Sequence, residues 1–258
     1  MVKESSSING QYERQSPAKE SLRRFLRHRS SQVGLTILTF LVLIAIFAPF
    51  IAPYEPTQIL KKEKRRSPPC IHLLGCPIEK TEHIMGIDGN SRDLFSRVIF
   101  GSRLSLQIGL ATMSFAIILG GLIGAFAGYI GGWVDNLLMR TMDVLMAFPS
   151  LLLAIAIVTV LGTGLINALL AIGIVSIPRF ARLIRASVLS TKELDYVAAS
   201  RALGASPVRL LFQRILPNSI TPLIVQGTLG IATAILDAAA LSFLGLGAEP
   251  PRPEWGLM

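Results

Sequence analysis

An all-α, polytopic integral membrane protein is the fold class this sequence predicts, and three observations carry the prediction. Apolar residues make up 51% of the 258-residue chain and charged residues only 16%. That balance excludes a disordered chain and argues against a water-soluble globular domain. The charges are also unevenly placed: Ser30 to Tyr54, Leu104 to Val134, Val144 to Pro178 and Ile215 to Leu236 contain no Asp, Glu, Lys or Arg. Each window reaches the ~20 residues that a helix needs to cross a hydrocarbon core. The third window is long enough for two spans, and Gly162-Thr163-Gly164, with Asn167 after it, divides it. Five spans follow, at about 32–52, 103–129, 136–161, 165–187 and 219–244.

The net charge of +9 does not point to nucleic acid, because the basic residues flank the spans as membrane topology requires. In the N-terminal segment, 1–31, Lys3, Arg14, Lys19, Arg23, Arg24, Arg27 and Arg29 face only Glu4, Glu13 and Glu20, which predicts a cytoplasmic N-terminus. Leu22 to Arg29 could also lie as a short basic helix on anionic headgroups. The first apolar run lacks a small-residue cleavage site and is long enough to span, so it reads as a retained anchor, 32–53, ending at Pro49 and Pro53.

A hydrophilic loop, 54–100, is then expected on the extracytoplasmic side. Its Lys61-Lys62-Glu63-Lys64-Arg65-Arg66 run opposes the positive-inside rule, which long loops obey poorly. Cys70 and Cys76 are the only cysteines, spaced C-x5-C, and their spacing leaves a disulfide and two free thiols both open. His72 and His83 lie nearby but form no recognisable zinc pattern, so no metal site is expected. Toward the end of the loop and up to Arg103, Leu94, Val98 and Ile99 are apolar and Arg92, Arg97 and Arg103 polar, which predicts an amphipathic helix at the membrane surface.

The second span carries Gly120, Gly124 and Gly128 on one face, a stripe that permits close helix packing in lipid. The third opens with Asp135, Arg140 and Asp143. Arg140 and Asp143 are spaced to pair along one helix face, and Pro149 should kink the span. Arg179, Arg182 and Arg185 recur every three residues at the end of the fourth span, where snorkelling to the interface is the expected role. Asp237 lies among small and apolar residues in the fifth span. An ionisable residue there is a functional candidate, with a structural hydrogen bond to a neighbouring helix as the alternative.

Between the last two spans, Ser190 to Pro217 is rich in local signals. Ser190 and Glu193 have capping-box spacing, Gly204 suits a helix stop, and Ser206-Pro207 offers a new N-cap with Pro at the first helical position. Pro217 ends or bends the second helix. A helix, a tight turn and a short helix result. The small residues Ala198, Ala199, Ser200 and Ala202 would let another surface approach closely. Docking of a soluble partner and an ordinary helical loop are both compatible with this pattern.

These residues also carry a resemblance. Asp195-Tyr196-Val197-Ala198-Ala199-Ser200-Arg201-Ala202-Leu203-Gly204-Ala205-Ser206 is similar to the E-A-A-x3-G coupling motif in permease subunits of ATP-binding-cassette importers for dipeptides and oligopeptides, C type. Ile215-Leu216-Pro217-Asn218, the Gly86 to Arg97 region, Ala127-Gly128-Tyr129-x-Gly131-Gly132, Met139-Arg140-x-x-Asp143, Leu161-Gly162 and Leu241-Ser242-Phe243-Leu244-Gly245-Leu246-Gly247 match the family in the same order, over roughly 32–258. The chain departs from the pattern at Ala198 (usually Glu), Ser200 (usually Ala), Ser91 (usually Gly) and Asp237 (usually Glu).

The resemblance implies a type I importer transmembrane domain over 101–258, with the coupling loop at 190–217. Tyr196, Ala198, Ala199, Ser200, Gly204, Ala205 and Ser206 would form the contact with an ATPase. It implies no enzyme activity: the chain has no P-loop to bind ATP, and ATP would be used by two partner ATPase subunits. A second homologous permease and an extracytoplasmic solute-binding protein would complete the complex in the bacterial inner membrane. Family members have six spans, the sixth following a segment like Pro253-Glu254-Trp255-Gly256. This chain stops two residues beyond that segment, so a sixth span is expected to be missing, through truncation or an incomplete gene product. Peptides are the expected substrates, with nickel or another small solute as an alternative. A secondary transporter or a non-transporting scaffold are further alternatives.

Overall fold

The apolar windows fold as helices. The computed structural model describes residues 27–61 and 63–258, so most of the N-terminal segment, including Leu22 to Leu26 of the expected basic helix, lies outside the described residues. The chain divides into two compact units, 1–43 and 44–258. Helix α1 (Arg29–Ile51) begins in the first and ends in the second. It carries Pro49 in its last turn, and its exposed surface is aliphatic and aromatic, with Ile37, Phe40 and Ile46 among the exposed residues.

In the second unit a helix-free stretch leads from α1 to α2 (Leu94–Ile130). Among its described residues it contains a short 3-10 turn (His72–Leu74) and two isolated β-bridges, Cys70 to His83 and Ile87 to Asp93. The helices α3 (Gly132–Met146), α4 (Ser150–Leu161) and α5 (Leu165–Thr191) follow. The connecting turn holds α6 (Asp195–Ala202), α7 (Pro207–Arg209), a π-helical turn (Leu210–Ile215) and α8 (Leu216–Ser219). Helix α9 (Thr221–Phe243) and a final 3-10 turn (Trp255–Leu257) complete the described chain.

By length and composition α1, α2, α5 and α9 can each cross a membrane, and α3 with α4 makes a fifth candidate if the bent pair is one span. The expected kink at Pro149 is instead a break of 94°. Proline lacks the N–H that would continue α3 and disfavours helical geometry in the residue before it, so the chain restarts at Ser150. The expected surface helix from Leu94 to Arg103 is also corrected. It is the first part of α2, whose 37 residues make one rod of about 55 Å. Arg97 is buried rather than lying on a membrane surface.

The packing of α2 against α5 forms the centre of the second unit. A Cβ added at Gly120 would stand 2.7 Å from the Ile177 carbonyl, and one at Gly128 would stand 2.9 Å from the Arg185 carbonyl. The stripe thus seats α5 along its length, with Phe180, Ile184 and Val188 buried beside it. Lipid offers no hydrophobic drive to associate helices, so close van der Waals contact of this kind supplies the cohesion. Helix α9 lies on the same pair, Gly230 against Met113 of α2 and against Phe180 of α5.

Candidate functional site

The turn between α5 and α9 is built from several local devices. The expected capping box is absent: α5 continues through Ser190 to Thr191, and Leu194, which has no capping side chain, occupies the N-cap of α6. Packing prolongs α5, because Val188 and Thr191 are buried and Ser219 Oγ donates to Thr191 Oγ1 at 3.0 Å. Helix α6 is therefore 195–202 and starts later than a cap at Ser190 would place it. Val197, fully buried, pins it to the core formed by Leu210, Leu211 and Ile215.

Gly204 ends α6 by a Schellman arrangement. Its own amide donates to the Arg201 carbonyl at 3.0 Å, and the Ala205 amide donates to the Ser200 carbonyl at 3.1 Å. The motif needs a left-handed residue after the cap, and Gly204 has φ +83°. No atom lies within 4 Å of where its Cβ would be, so backbone conformation, not space, demands glycine. The next helix starts as expected: Ser206 Oγ accepts from the Arg209 amide at 3.4 Å, and Pro207 opens α7.

Of the expected contact residues, Tyr196, Ala198, Ala199, Gly204 and Ser206 are exposed, while Ser200 and Ala205 are partly buried. Leu194, Leu203 and Val208 are exposed around them, Leu203 at 89%. The turn thus presents small and apolar residues outward, interspersed with the exposed charges of Asp195, Arg201 and Arg209. Tyr196 has a second role that the sequence did not reveal. Its hydroxyl donates to the Arg214 carbonyl at 3.2 Å, and Asn218 Nδ2 donates to the Tyr196 hydroxyl at 3.0 Å and to the same carbonyl at 2.6 Å. This triangle braces α6 against the π-helical turn just ahead of Pro217. The only sequence signal for it was Asn218 beside that proline.

The charged residues above the turn join α3 to α5. Arg185 Nε and Nη2 donate to the two carboxylate oxygens of Asp135, each at 2.5 Å. Arg182 pairs with Asp143. The expected pairing of Arg140 with Asp143 is therefore corrected, because the carboxylate finds its partner across the helix interface. The snorkelling role expected for Arg182 and Arg185 is replaced by these inter-helix pairs. Lys192 Nζ adds a bond to the Gly128 carbonyl at 3.2 Å.

At the opposite end of α2, a second constellation ties the long loop to the helix. Asp93 caps α2 by accepting from the Ser96 amide at 2.7 Å, and its other oxygen accepts from His83 Nδ1 at 2.8 Å. Arg97 donates to the carbonyls of Pro56 at 3.2 Å and Pro251 at 3.3 Å, and its Nε lies 3.5 Å from Asp88. Cys70 and Cys76 are joined in a disulfide with a Cα separation of 5.4 Å. His72 Nε2 bonds the Lys80 carbonyl. Both histidines thus bond protein groups, and no cluster of three or more metal-ligating side chains occurs among the described residues. Glu254 is fully buried nearby. Burial pushes its carboxyl above the usual carboxylate range, and neither of its carboxylate oxygens makes a hydrogen bond to a described residue.

Comparison with known proteins gives two family matches. Residues 120–258 match the binding-protein-dependent transport system inner membrane component, and residues 16–69 match the N-terminal TM domain of oligopeptide transport permease C. The dipeptide transport system permease protein DppC of Alkalihalophilus pseudofirmus is 45% identical over 96% of this chain and 78% of its own length. The di/tripeptide transport system permease protein DppC of Pseudomonas aeruginosa is 47% identical over 94% and 78%. The glutathione transport system permease protein GsiD of Pectobacterium atrosepticum is 41% identical over 94% and 77%.

Proposed function

The chain belongs to the binding-protein-dependent transport system inner membrane component family, in its dipeptide and oligopeptide permease branch, C type, and from that membership we propose that it is the permease subunit of an ATP-driven peptide importer. It forms half of a translocation pathway in the inner membrane and couples that pathway to ATPase subunits. The observation that carries the coupling role is the turn from Asp195 to Arg209. There a short helix, pinned by Val197 and ended by Gly204, holds small and apolar residues outward at the end of α5. Asp195, Arg201 and Arg209 are exposed on the same turn, so a partner's groove would meet charge beside this apolar surface, with Ala198 in place of the family's usual Glu. The names of the relatives, dipeptide, di/tripeptide and glutathione permeases, support a peptide substrate over nickel or another solute.

In this reading the turn faces the cytoplasm, as does the N-terminus, and the loop ahead of Leu94 faces outward. A second homologous permease completes the pathway, two ATPase subunits bind and hydrolyse ATP, and an extracytoplasmic binding protein delivers the peptide. The chain itself binds no cofactor. Movement of α6 by the ATPase passes to α5 through Val197 and the Ser219–Thr191 bond. From α5 it passes to α2 through the glycine stripe and to α3 through the two ion pairs. The spans then rock between inward and outward openings.

The test is reconstitution of the complete complex in proteoliposomes with its binding protein. Uptake of a labelled dipeptide that requires both ATP and the binding protein is the expected result. ATP-independent uptake would replace the proposal with a secondary transporter. ATPase recruitment without peptide-stimulated hydrolysis would leave a scaffold.

A further inference from the structure

At the start of α5 and beyond the end of α9 the chain encloses a cleft of about 470 Å³, a volume within the range of small-molecule sites. One wall is the segment 163–167, where α5 begins, and the other is the segment 249–252, which follows α9. Ile166, Pro250 and Pro251 supply apolar surface, and Asn167, Glu249 and Arg252 supply polar groups. The length of α5, about 40 Å, separates this cleft from the coupling turn.

Both walls are held from behind. Asn167 Nδ2 donates to the Leu161 carbonyl at 3.0 Å and to the Gly162 carbonyl at 3.1 Å, which fixes the amide and leaves its Oδ1 as an acceptor. The Arg252 amide donates to the Glu249 carbonyl at 3.2 Å. That bond closes a turn and brings the Cα atoms of the two residues within about 7 Å. Arg92 and Arg97, only 7% and 4% exposed, both donate to the Pro251 carbonyl, at 3.4 and 3.3 Å. Burying a guanidinium is costly, and here two of them grip one carbonyl of the cleft's wall. The Gly164 amide ties the first wall to the Leu246 carbonyl, three residues ahead of the second, at 3.3 Å. A cleft fixed at so many points needs little reordering to take a ligand.

Its polar groups select that ligand. Glu249 and Asn167 Oδ1 accept hydrogen bonds, and the Arg252 guanidinium offers a fork of donors that fits a carboxylate. Neither charged side chain is engaged by another described residue. A metal ion would find a single carboxylate, and a phosphate would be repelled by Glu249. A molecule with an ammonium at one end, a carboxylate at the other and a short apolar body satisfies every group. An extended dipeptide is such a molecule, and its length of about 7 Å matches the turn that carries the two charges.

We infer that the cleft between 163–167 and 249–252 is a receiving site for a short zwitterionic peptide, Glu249 and Asn167 taking its α-ammonium and Arg252 its α-carboxylate. This rests on the proposed function, in whose orientation the cleft opens on the extracytoplasmic face. A peptide released by the binding protein would meet the permease here before it enters the membrane. Glu249 and Arg252 are exposed, so their contacts are screened and weak, as a site that must pass its ligand on requires.

The experiment uses the permease–ATPase complex in nanodiscs and a dipeptide with a photoactivated diazirine side chain, presented at millimolar concentration without binding protein so that the permease alone selects. Irradiation and peptide mapping should place cross-links in 163–167 and 249–252. N-acetylated and C-amidated forms of the probe should each cross-link there about tenfold less. E249Q should remove the discrimination against the acetylated form, and R252Q the discrimination against the amide. No cross-link in either segment, with or without loaded binding protein, would overturn the inference. So would equal labelling by the free and blocked probes. An E249Q complex that no longer captures loaded binding protein would make the cleft a docking surface and overturn it as well. In each of these cases the peptide importer stands, whereas a wild-type complex that imports another solute but no peptide would overturn both.

Discussion

Arg185 grips Asp135 with two nitrogens, one for each carboxylate oxygen, and so fastens α3 to α5. Asp135 is largely shielded and Arg185 about one-third exposed, so the pair is screened less than a surface ion pair. The two-point geometry also fixes orientation in a way a lysine could not. Removing either partner strands the other. Asp135→Asn and Arg185→Gln should each lower the melting temperature of the assembled complex. The double variant should be no worse than the more damaging single one, with a coupling energy of about 1–2 kcal/mol. Strict additivity in a double-mutant cycle would show that the pair does not hold the helices.

Gly204 is required for its backbone, and that orders its substitutions. At φ +83° with open space around the missing Cβ, an alanine pays about 1 kcal/mol of conformational cost and asparagine less. Peptide uptake should therefore fall in the order glycine, asparagine, alanine, with Gly204→Trp abolishing it in a complex that still inserts and captures loaded binding protein. Uptake undiminished in Gly204→Trp would remove the turn from the coupling role.

Ser91 stands where the family usually has glycine, and the structure explains the preference: Ser91 has φ +59°. Its carbonyl accepts from the Leu60 amide at 2.7 Å and its amide donates to the Asp88 carbonyl at 3.2 Å, so the conformation is locked on both sides. Ser91→Gly relieves the left-handed strain, less the entropy glycine loses on folding, for a net gain of roughly 0.5–1 kcal/mol. Thermal unfolding of the complex should show a rise of about 2 °C. A lower melting temperature would mean that the Ser91 side chain contributes more than its backbone costs.

The spans, the glycine stripe and the Gly204–Ser206 turn were legible because each depends on residues close in sequence. Charge-free windows reveal apolar helices, a four-residue period reveals a face, and a glycine two residues before a Ser-Pro pair reveals a stop and a start. What was not legible depended on partners distant in the chain. Asp143 chose Arg182 over Arg140 three residues away because α5 lies alongside. Ser190 failed to cap a helix because Ser219, far along the chain, holds Thr191 inside the preceding one. Arg97 looked like one edge of an amphipathic surface because the carbonyls that enclose it come from Pro56 and Pro251. For Asp237 the local pattern left two roles open, because what decides between them lies in other helices and not in its own neighbours.

Glu254 provides a dependence on pH whose sign follows from its burial. Its carboxyl is raised above the usual carboxylate range in the folded chain, so the folded state keeps a proton that the unfolded state gives up. Stability is therefore highest in acid, where both states are protonated. It falls as the pH climbs from the ordinary carboxylate range toward the raised value. Glu254→Gln keeps the shape and removes the ionisation. It should raise the melting temperature at pH ~8, leave it nearly unchanged at pH ~4, and flatten the profile between them, with a gain of about 1 kcal/mol at the alkaline end. Trp255 Nε1 donates to the Val98 carbonyl at 3.1 Å, so this segment rests directly on α2, and Trp255 fluorescence should track the same titration. A Gln variant that loses stability at every pH would show instead that burial does not disfavour the ionised carboxylate at this position.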